Sequence, residues 1–503
     1  MNDTTPSASQ SEAASPNAES LFVCECDAWM RSACKGEAFF REYEGKRYCV
    51  LHYPNIDKVD AFRVSLNRKL EAKDFNFLGV WFPEEVDFHG FEFSAKADFD
   101  SATFSTDADF YGAKFNADAD FGGTKFCADA SFGSTAFGAD VNFDQAMFST
   151  NVRFNNTTFG AEANFSETTF SADAYFHSVT FNGVADFGGA TFNAYALFSA
   201  ATFRMYTDFI ETKFNGVADF DAATFNTNAH FYNATFNAGT DFGKATFNTN
   251  VYFGKAMFKN YVNFAGSVEQ KNFGETAWLD FQFVRIEKPD RIFFHTLNLK
   301  PHWFINCDCR KFEFTDCGWN HDLKQEVEGA IKAKISAPHR LLAITFRQLA
   351  DNAEANHRYH EASNFRYNAF EARRVEKFGG FVPWRLDWWY WLASGYGERV
   401  GRAFVVFIIL FALFAFGYTW TGFDQSGKSA TASVPQAASQ PDAIGKPLNW
   451  QDAFIYSFYV TILQKPKPEP LTRTAKVLVG LETVLGPAQA ALLALAVRRR
   501  FMR

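Results

Sequence analysis

Near the start of the chain Cys24, Cys26, Cys34 and Cys49 are followed by His52, three residues after the last cysteine. Soft ligands ending in C-x2-H suit a closed tetrahedral zinc, which would hold together a segment too short to build its own core. The preferred ligand set is Cys26, Cys34, Cys49 and His52, with Cys24 the competing first ligand. Unligated thiols around a packed histidine are the alternative. A catalytic ion would need an open coordination position and a nearby base, and the spacing reveals neither. Later, His357, His360 and Glu361 could share one helix face as metal ligands, although a solvated face is the simpler reading. Glu482 stands inside an apolar run, roughly 10 Å from its start if helical, where a carboxylate must face a partner helix, an oligomer interface or an ion pathway. There is no Gly-rich phosphate loop, H-E-x-x-H, nucleophile elbow or spaced acid pair, so an enzyme is not expected.

Most of the chain serves another purpose. Phe occurs 63 times in 503 residues, far above ordinary usage. From Phe88 to Phe264 every eleventh residue is Phe, and a second series runs in the same way from Phe93 to Phe258. A period of eleven, split five plus six, marks a solenoid whose short units stack to bury a continuous core. Two residues before nearly every Phe of the two series stands a small residue, Ala97 before Phe99 and Ala102 before Phe104, often with Asp or Thr between. Period-two alternation then puts Phe and the small residue inside and the polar residue in water. Phe99, Phe104, Phe110 and Phe115 are read as structural core, each burial contributing about 2 kcal/mol. The Gly, Asn and Asp that follow Phe suit tight corners.

These residues resemble the pentapeptide-repeat family, whose motif is A-(D/N)-(L/F)-x-x. The resemblance implies a mainly β fold, a right-handed quadrilateral β-helix, in which four units, here twenty-two residues, make one coil. A coil of eleven is the alternative. The sixth residue in every second unit departs from the motif and is expected to widen a corner. The β-helix is placed at 75–320, with the strict repeat at 88–264 making eight coils, a rod of roughly 40 Å at the usual strand spacing. The Cys/His segment, 21–60, is similar to small modules of three cysteines and one histidine that precede such repeats. Some members of the family use an acidic rod to imitate DNA toward topoisomerases. Asp87, Asp98, Asp109 and Asp120 begin an acidic column here, but Arg153, Tyr175, Leu197 and Tyr252 interrupt it, and solvating and turn-capping roles are favoured. A net charge of −8 offers nucleic acid no general attraction.

Residues 1–20 carry neither a basic nor an apolar leader region and read as a disordered polar tail that stays in the cytosol, where the eight cysteines would be reduced. Cys307, Cys309 and Cys317 lie on loosened final coils and read as small buried residues. Residues 323–380 space apolar residues three or four apart, a helical linker ended by Gly379 and Gly380. The segment 381–402 groups Trp384, Trp388, Trp389, Tyr390 and Trp391 with Arg399 and Arg402, as at a membrane interface. Residues 403–421 hold no charge over about 28 Å of helix and read as a first transmembrane helix. Residues 475–497, with a Gly486–Pro487 kink, read as a second, before a basic tail at 498–503. Arginines beside both helices predict cytosolic termini and an external linker at 422–449.

Between the helices, 450–474 holds a short amphipathic run. This order resembles the two-helix potassium-channel pore domain, which implies a pore helix ending at Thr461, a pore-lining helix carrying Glu482 and Gly486, and a homo-oligomer. Where that family needs Val/Ile-Gly-Tyr/Phe-Gly, this chain has Ile462-Leu463-Gln464-Lys465-Pro466. Without glycines the carbonyl-lined filter does not form, and Lys465 adds positive charge. The expectation is a multi-pass protein of a bacterial inner membrane that presents a rigid β-helix to a protein partner. A working ion channel with a regulatory β-helix and a DNA-mimicking topoisomerase inhibitor are the alternatives.

Overall fold

The structure, a computed structural model, describes residues 22–267, 272–378, 383–424 and 445–501. The tail at 1–20, the Gly379–Gly380 stop, most of the linker at 422–449 and Arg503 lie outside them. The chain divides into two compact units, Met1–Leu297 with Glu313–Asp316, and Asn298–Phe312 with Cys317–Arg503.

The first unit opens with a 3-10 turn (Ala28–Cys34), a hairpin pairing Phe39–Tyr43 with Lys46–Cys49, and helix α1 (Val59–Glu71). Four parallel sheets of eight to eleven short strands follow. Ala97 pairs with Ala119, Thr103 with Lys125, Ala108 with Ala130 and Lys114 with Ala136. Strand partners are thus 22 residues apart, like the paired and hydrogen-bonded Asp120 and Asn142, which excludes the coil of eleven. The longest sheet has eleven strands, so the solenoid makes about eleven turns. The turns beyond the strict repeat form because stacking needs only an extended dipeptide with a small or branched inner residue: Leu279 pairs with Val251, and Ile292 with Val262.

Alternation holds along every face, with Ala97 and Phe99 buried and Asp98 between them partly exposed. The rings form four columns. Phe99 stacks on Phe121 at 4.8 Å, Phe104 on Phe126 at 4.9 Å, Phe110 on Phe132 at 4.8 Å and Phe115 on Phe137 at 4.8 Å. These separations match the strand spacing, so backbone pairing and ring stacking reinforce each other. Columns also meet edge to face, as Phe99 does with Phe110 at 5.7 Å.

Each five-residue step ends in a closed turn. Ala102 N donates to Phe99 O at 2.9 Å, and Ser101 has φ 55°. This left-handed position recurs every eleven residues from Gly79 to Lys255 and is mostly not glycine. The six-residue steps bend openly, as at Ser105–Thr106, so the extra residue replaces a closed turn at two opposite corners of each coil. The acidic column caps the turns: Asp98 Oδ1 accepts from Asp100 N at 3.2 Å, Asp109 from Tyr111 N at 2.8 Å and Asp120 from Gly122 N at 3.0 Å. Where Thr replaces the inner Ala before a Phe of the second series, its hydroxyl reaches the coil below, as Thr124 does to Phe99 O at 2.7 Å and Thr135 to Phe110 O at 2.7 Å.

The second unit is helical. The expected linker at 323–380 is three helices, α2 (Leu323–Lys332), α3 (Pro338–Ala355) and α4 (Tyr359–Phe378). Ala337, which precedes Pro338, has φ 54°, and His357 has φ 59°, so both leave the helical region. Helix α5 (Leu386–Ser394) is stopped by Gly395 at φ 55°. Then come α6 (Val400–Tyr418), α7 (Trp450–Thr461) and α8 (Arg473–Phe501). Helix α8 continues through Pro487 and through Arg498, Arg499 and Arg500, so the expected basic tail is its last turn, where cations suit the exposed carbonyls. Phe414, Tyr418, Tyr456, Val460 and Ala475 form the core of α6, α7 and α8. Phe404, Val405, Ile408, Ile409 and Leu413 on α6, and Val477, Leu481 and Val484 on α8, face outward and are exposed.

Candidate functional site

Cys24 and Cys26 lie on the segment entering the 3-10 turn, Cys34 closes it, Cys49 ends the hairpin and His52 follows. The ligand atoms of Cys24, Cys34, Cys49 and His52 all lie within 4.8 Å of one another. The alternative first ligand, Cys24, therefore completes the set, while Cys26 Sγ lies 3.8 Å from Cys34 Sγ. His52 Nδ1 is 3.0 Å from Cys34 Sγ and 3.3 Å from Cys49 Sγ, and Nε2 is 2.9 Å from Leu78 O. A carbonyl only accepts, so Nε2 carries the proton and Nδ1 turns its lone pair toward the sulfurs, the orientation of a metal-bound imidazole. Cys49 N donates to Cys24 Sγ at 3.3 Å, which favours a thiolate there. Lys58, buried, anchors the loop from behind through Val50 O and Leu51 O, both at 2.7 Å. Three thiols and one imidazole fit a metal ion, and they make a closed set suited to structure rather than catalysis.

Glu482 is buried in the second unit. Tyr418 on α6 and Ser457 on α7 donate to its carboxylate, and Thr461 Oγ1 lies 3.3 Å away. Hydroxyls of the same chain thus hold the carboxylate across three helices. One turn on, a Cβ at Gly486 would stand 3.0 Å from Thr461 Oγ1, so glycine lets α7 and α8 approach closely. Thr461, Glu482 and Gly486 converge, whereas Lys465 is exposed beyond α7, lining a cleft of about 300 Å³ with Asp452, Tyr456 and Tyr459. Sequence reasoning missed Tyr418 and Ser457, although hydroxyls inside apolar helices are the signal that a buried carboxylate needs partners.

Among the described residues the other flagged groups do not gather as metal ligands. His357 Nδ1 meets Tyr359 OH at 2.8 Å and Glu361 accepts from Arg358 at 2.8 Å. Cys307 and Cys309 are buried, and burial pushes the Cys307 thiol up to about 12. A further ionic group was not foreseen. Buried Glu398 Oε1 accepts from Arg366 Nε and from Arg499 Nη1, both at 3.0 Å. Gln489 donates to Ala393 O at 2.8 Å and Ala403 O at 2.9 Å. These bonds bring the start of α6 beside the end of α8.

Residues 154–202 and 198–246 match the family model described as Pentapeptide repeats (9 copies). No curated protein and no solved structure matches the chain. The matched stretch lies wholly within the stacked coils, so the solenoid carries pentapeptide repeats.

Proposed function

We propose that the chain is a membrane-anchored scaffold that presents its pentapeptide-repeat β-helix to a protein partner. The observation that carries this reading is the outward face of α6 and α8. Both helices are long and apolar enough to cross a membrane, and only 17% of each apolar window is buried, unlike a helix in a soluble core. Exposed Trp384 and Trp389 before α6, and Trp420 and Trp450 beyond its other end, fit two interfacial belts. Arg399, Arg402 and Arg498–Arg500 share one end, which supports cytosolic termini in a bacterial inner membrane. The described residues of the solenoid are stacked rings, small residues and capped turns, which supports reading the rod as a scaffold rather than an enzyme. In this reading zinc is held by Cys24, Cys34, Cys49 and His52 and closes the entry to the rod. Engagement of the Asp carboxylates by turn N–H groups supports a structural column over DNA mimicry.

Alkaline carbonate washing of membranes from expressing cells tests the anchor, together with a Ser439→Cys reporter labelled by an impermeant maleimide. Retention with external labelling is expected; release into the supernatant would remove the reading. The order of α6, α7 and α8 favours an ion channel as the second reading. Flux into proteoliposomes that Glu482→Gln alters would establish it, and flux no greater than in empty liposomes would end it.

A further inference from the structure

A cleft of about 550 Å³ opens where α4, the start of α6 and the end of α8 meet, lined by Tyr359, His360, Ser363, Glu398, Arg399, Arg402 and Arg500 with the backbone of Val400 and Gly401. Three features give it a definite chemistry.

The first is charge. Arg399, Arg402 and Arg500 line the cleft, and the one carboxylate beside them is already offset by Arg366 and Arg499. Arg399 is held by Asn364 Oδ1 at 2.6 Å and Arg402 by Trp391 O at 3.2 Å, each through Nη1. The bonds fix both side chains, and a planar guanidinium with spare N–H groups is a fork for phosphate oxygens.

The second is the end of α6 itself. Its N-cap, Arg399, makes no side-chain cap bond, and its first turn has no acidic residue. Gly401 lies in that turn and lines the cleft, and a Cβ built on it meets nothing within 4 Å, so there is open space beside the first turn, whose amides suit an anion. The third is a buried acceptor. Glu398 Oε2 and Arg366 Nη2, two atoms of one ion pair with the carboxylate fully buried, both lack a hydrogen-bond partner, a cost that a hydroxyl able to donate to one and accept from the other would relieve.

We infer that this cleft binds a phosphoglycerol group, its phosphate taken by Arg399, Arg402, Arg500 and the α6 amides, and its hydroxyl donating to Glu398 Oε2. The source in keeping with the proposed membrane anchor is the headgroup of an anionic phospholipid in the leaflet beside the arginines. The inference rests on that reading for the source only. Free glycerol phosphate would present the same chemistry to the same groups.

The purified full-length chain is placed in nanodiscs of phosphatidylcholine alone, in discs with added phosphatidylglycerol, or in phosphatidylcholine discs with soluble glycerol phosphate. Bound ligand is counted by native mass spectrometry. Saturable retention of phosphatidylglycerol is expected, weakened at least about tenfold in Arg399→Gln/Arg402→Gln, since each lost charge-assisted bond is worth roughly that factor. Gly401→Asp should weaken it as much. That carboxylate enters open space and suits the helix start, so the fold stays intact and the loss reads as repulsion at the site. Arg498→Gln, which lies outside the cleft, should leave retention unchanged. Equal binding of soluble glycerol phosphate would assign the same site to a free metabolite. No preference for phosphoglycerol, or an equal loss in Arg498→Gln, would overturn the inference. A chain that survives carbonate washing but shows no preference refutes the site and leaves the anchor standing.

Discussion

Phe165 sits in the middle of one ring column, fully buried, stacked on Phe143 and Phe187 at 4.9 Å each and edge to face with Phe154 at 5.4 Å and Phe176 at 5.6 Å. Phe165→Ala removes the whole ring from a site whose walls are strand-paired above and below and cannot collapse inward. The cost should reach the upper part of the roughly 3–5 kcal/mol seen for buried Phe truncations. Phe165→Leu keeps most of the volume and loses the ring pairs, each worth about 0.5–1.5 kcal/mol, so its cost should be about 2 kcal/mol. Coupling separates stacking from simple burial. Phe165→Leu combined with Phe187→Leu, its stacked neighbour, should deviate from additivity by at least about 0.5 kcal/mol, whereas combination with distant Phe231→Leu should add. Urea unfolding of the purified chain in detergent, followed by far-ultraviolet circular dichroism, measures all of these. If Phe165→Leu costs almost nothing, or if Phe187 and Phe231 couple equally, the columns contribute only apolar area and the stacking argument fails.

The left-handed corner at Ala222, φ 56°, should accept Gly with a gain of up to about 1 kcal/mol, while Val should lose more than that, as thermal unfolding would report. Stripping metal with a strong chelator should unfold residues 22–58 and leave the coils intact, with zinc restoring hydrogen-exchange protection around Cys49; protection that ignores chelator would mean the thiols are unligated. Burial raises the Asp208 carboxyl above its ordinary value. A carboxyl with a raised folded value contributes stability below the unfolded value of about 3.9 and loses it as pH climbs through the folded one. Asp208→Asn, which can still cap Ile210 N, should therefore raise the melting temperature at pH 7 relative to the parent and by less near pH 4; a pH-independent difference would contradict this. Tyr418→Phe and Ser457→Ala together strip two donors from Glu482 and should destabilise the helical unit by at least about 2 kcal/mol, and Glu482→Gln should recover part of the loss.

Legibility followed repetition. Each Phe and each inner Ala meets the same surroundings once per coil, so one short pattern specified the inside, the outside and the stacking of the whole rod. Groups that meet only once were harder to foresee. Cys24 and Cys26 differ by two positions on an irregular segment, and only the path of the 3-10 turn to Cys34 decides which joins the set. Tyr418, Ser457 and Glu482 come from three separate helices, and no local spacing links them. The breaks at Ala337 and His357 were hidden because the apolar periodicity runs on across them, although Pro338 gave a hint. The left-handed corners were masked by composition, since Gln145, Glu167 and Lys244 hold φ values of 57°, 54° and 52° that are usually reserved for glycine.

Positions one full coil apart share a face, while positions half a coil apart fall on opposite faces, as the separate sheets of Ala97 and Ala108 show. The length of the repeat therefore acts as an angular setting. Loss or gain of a whole coil shortens or lengthens the stack by one turn and returns the outgoing chain to the same azimuth. A change of half a coil keeps every Phe inward, because the two opposite columns filled by each Phe series simply exchange, yet it delivers whatever follows to the opposite side. Duplication within such a gene can thus rotate an attached unit by half a turn with its hydrophobic interior untouched.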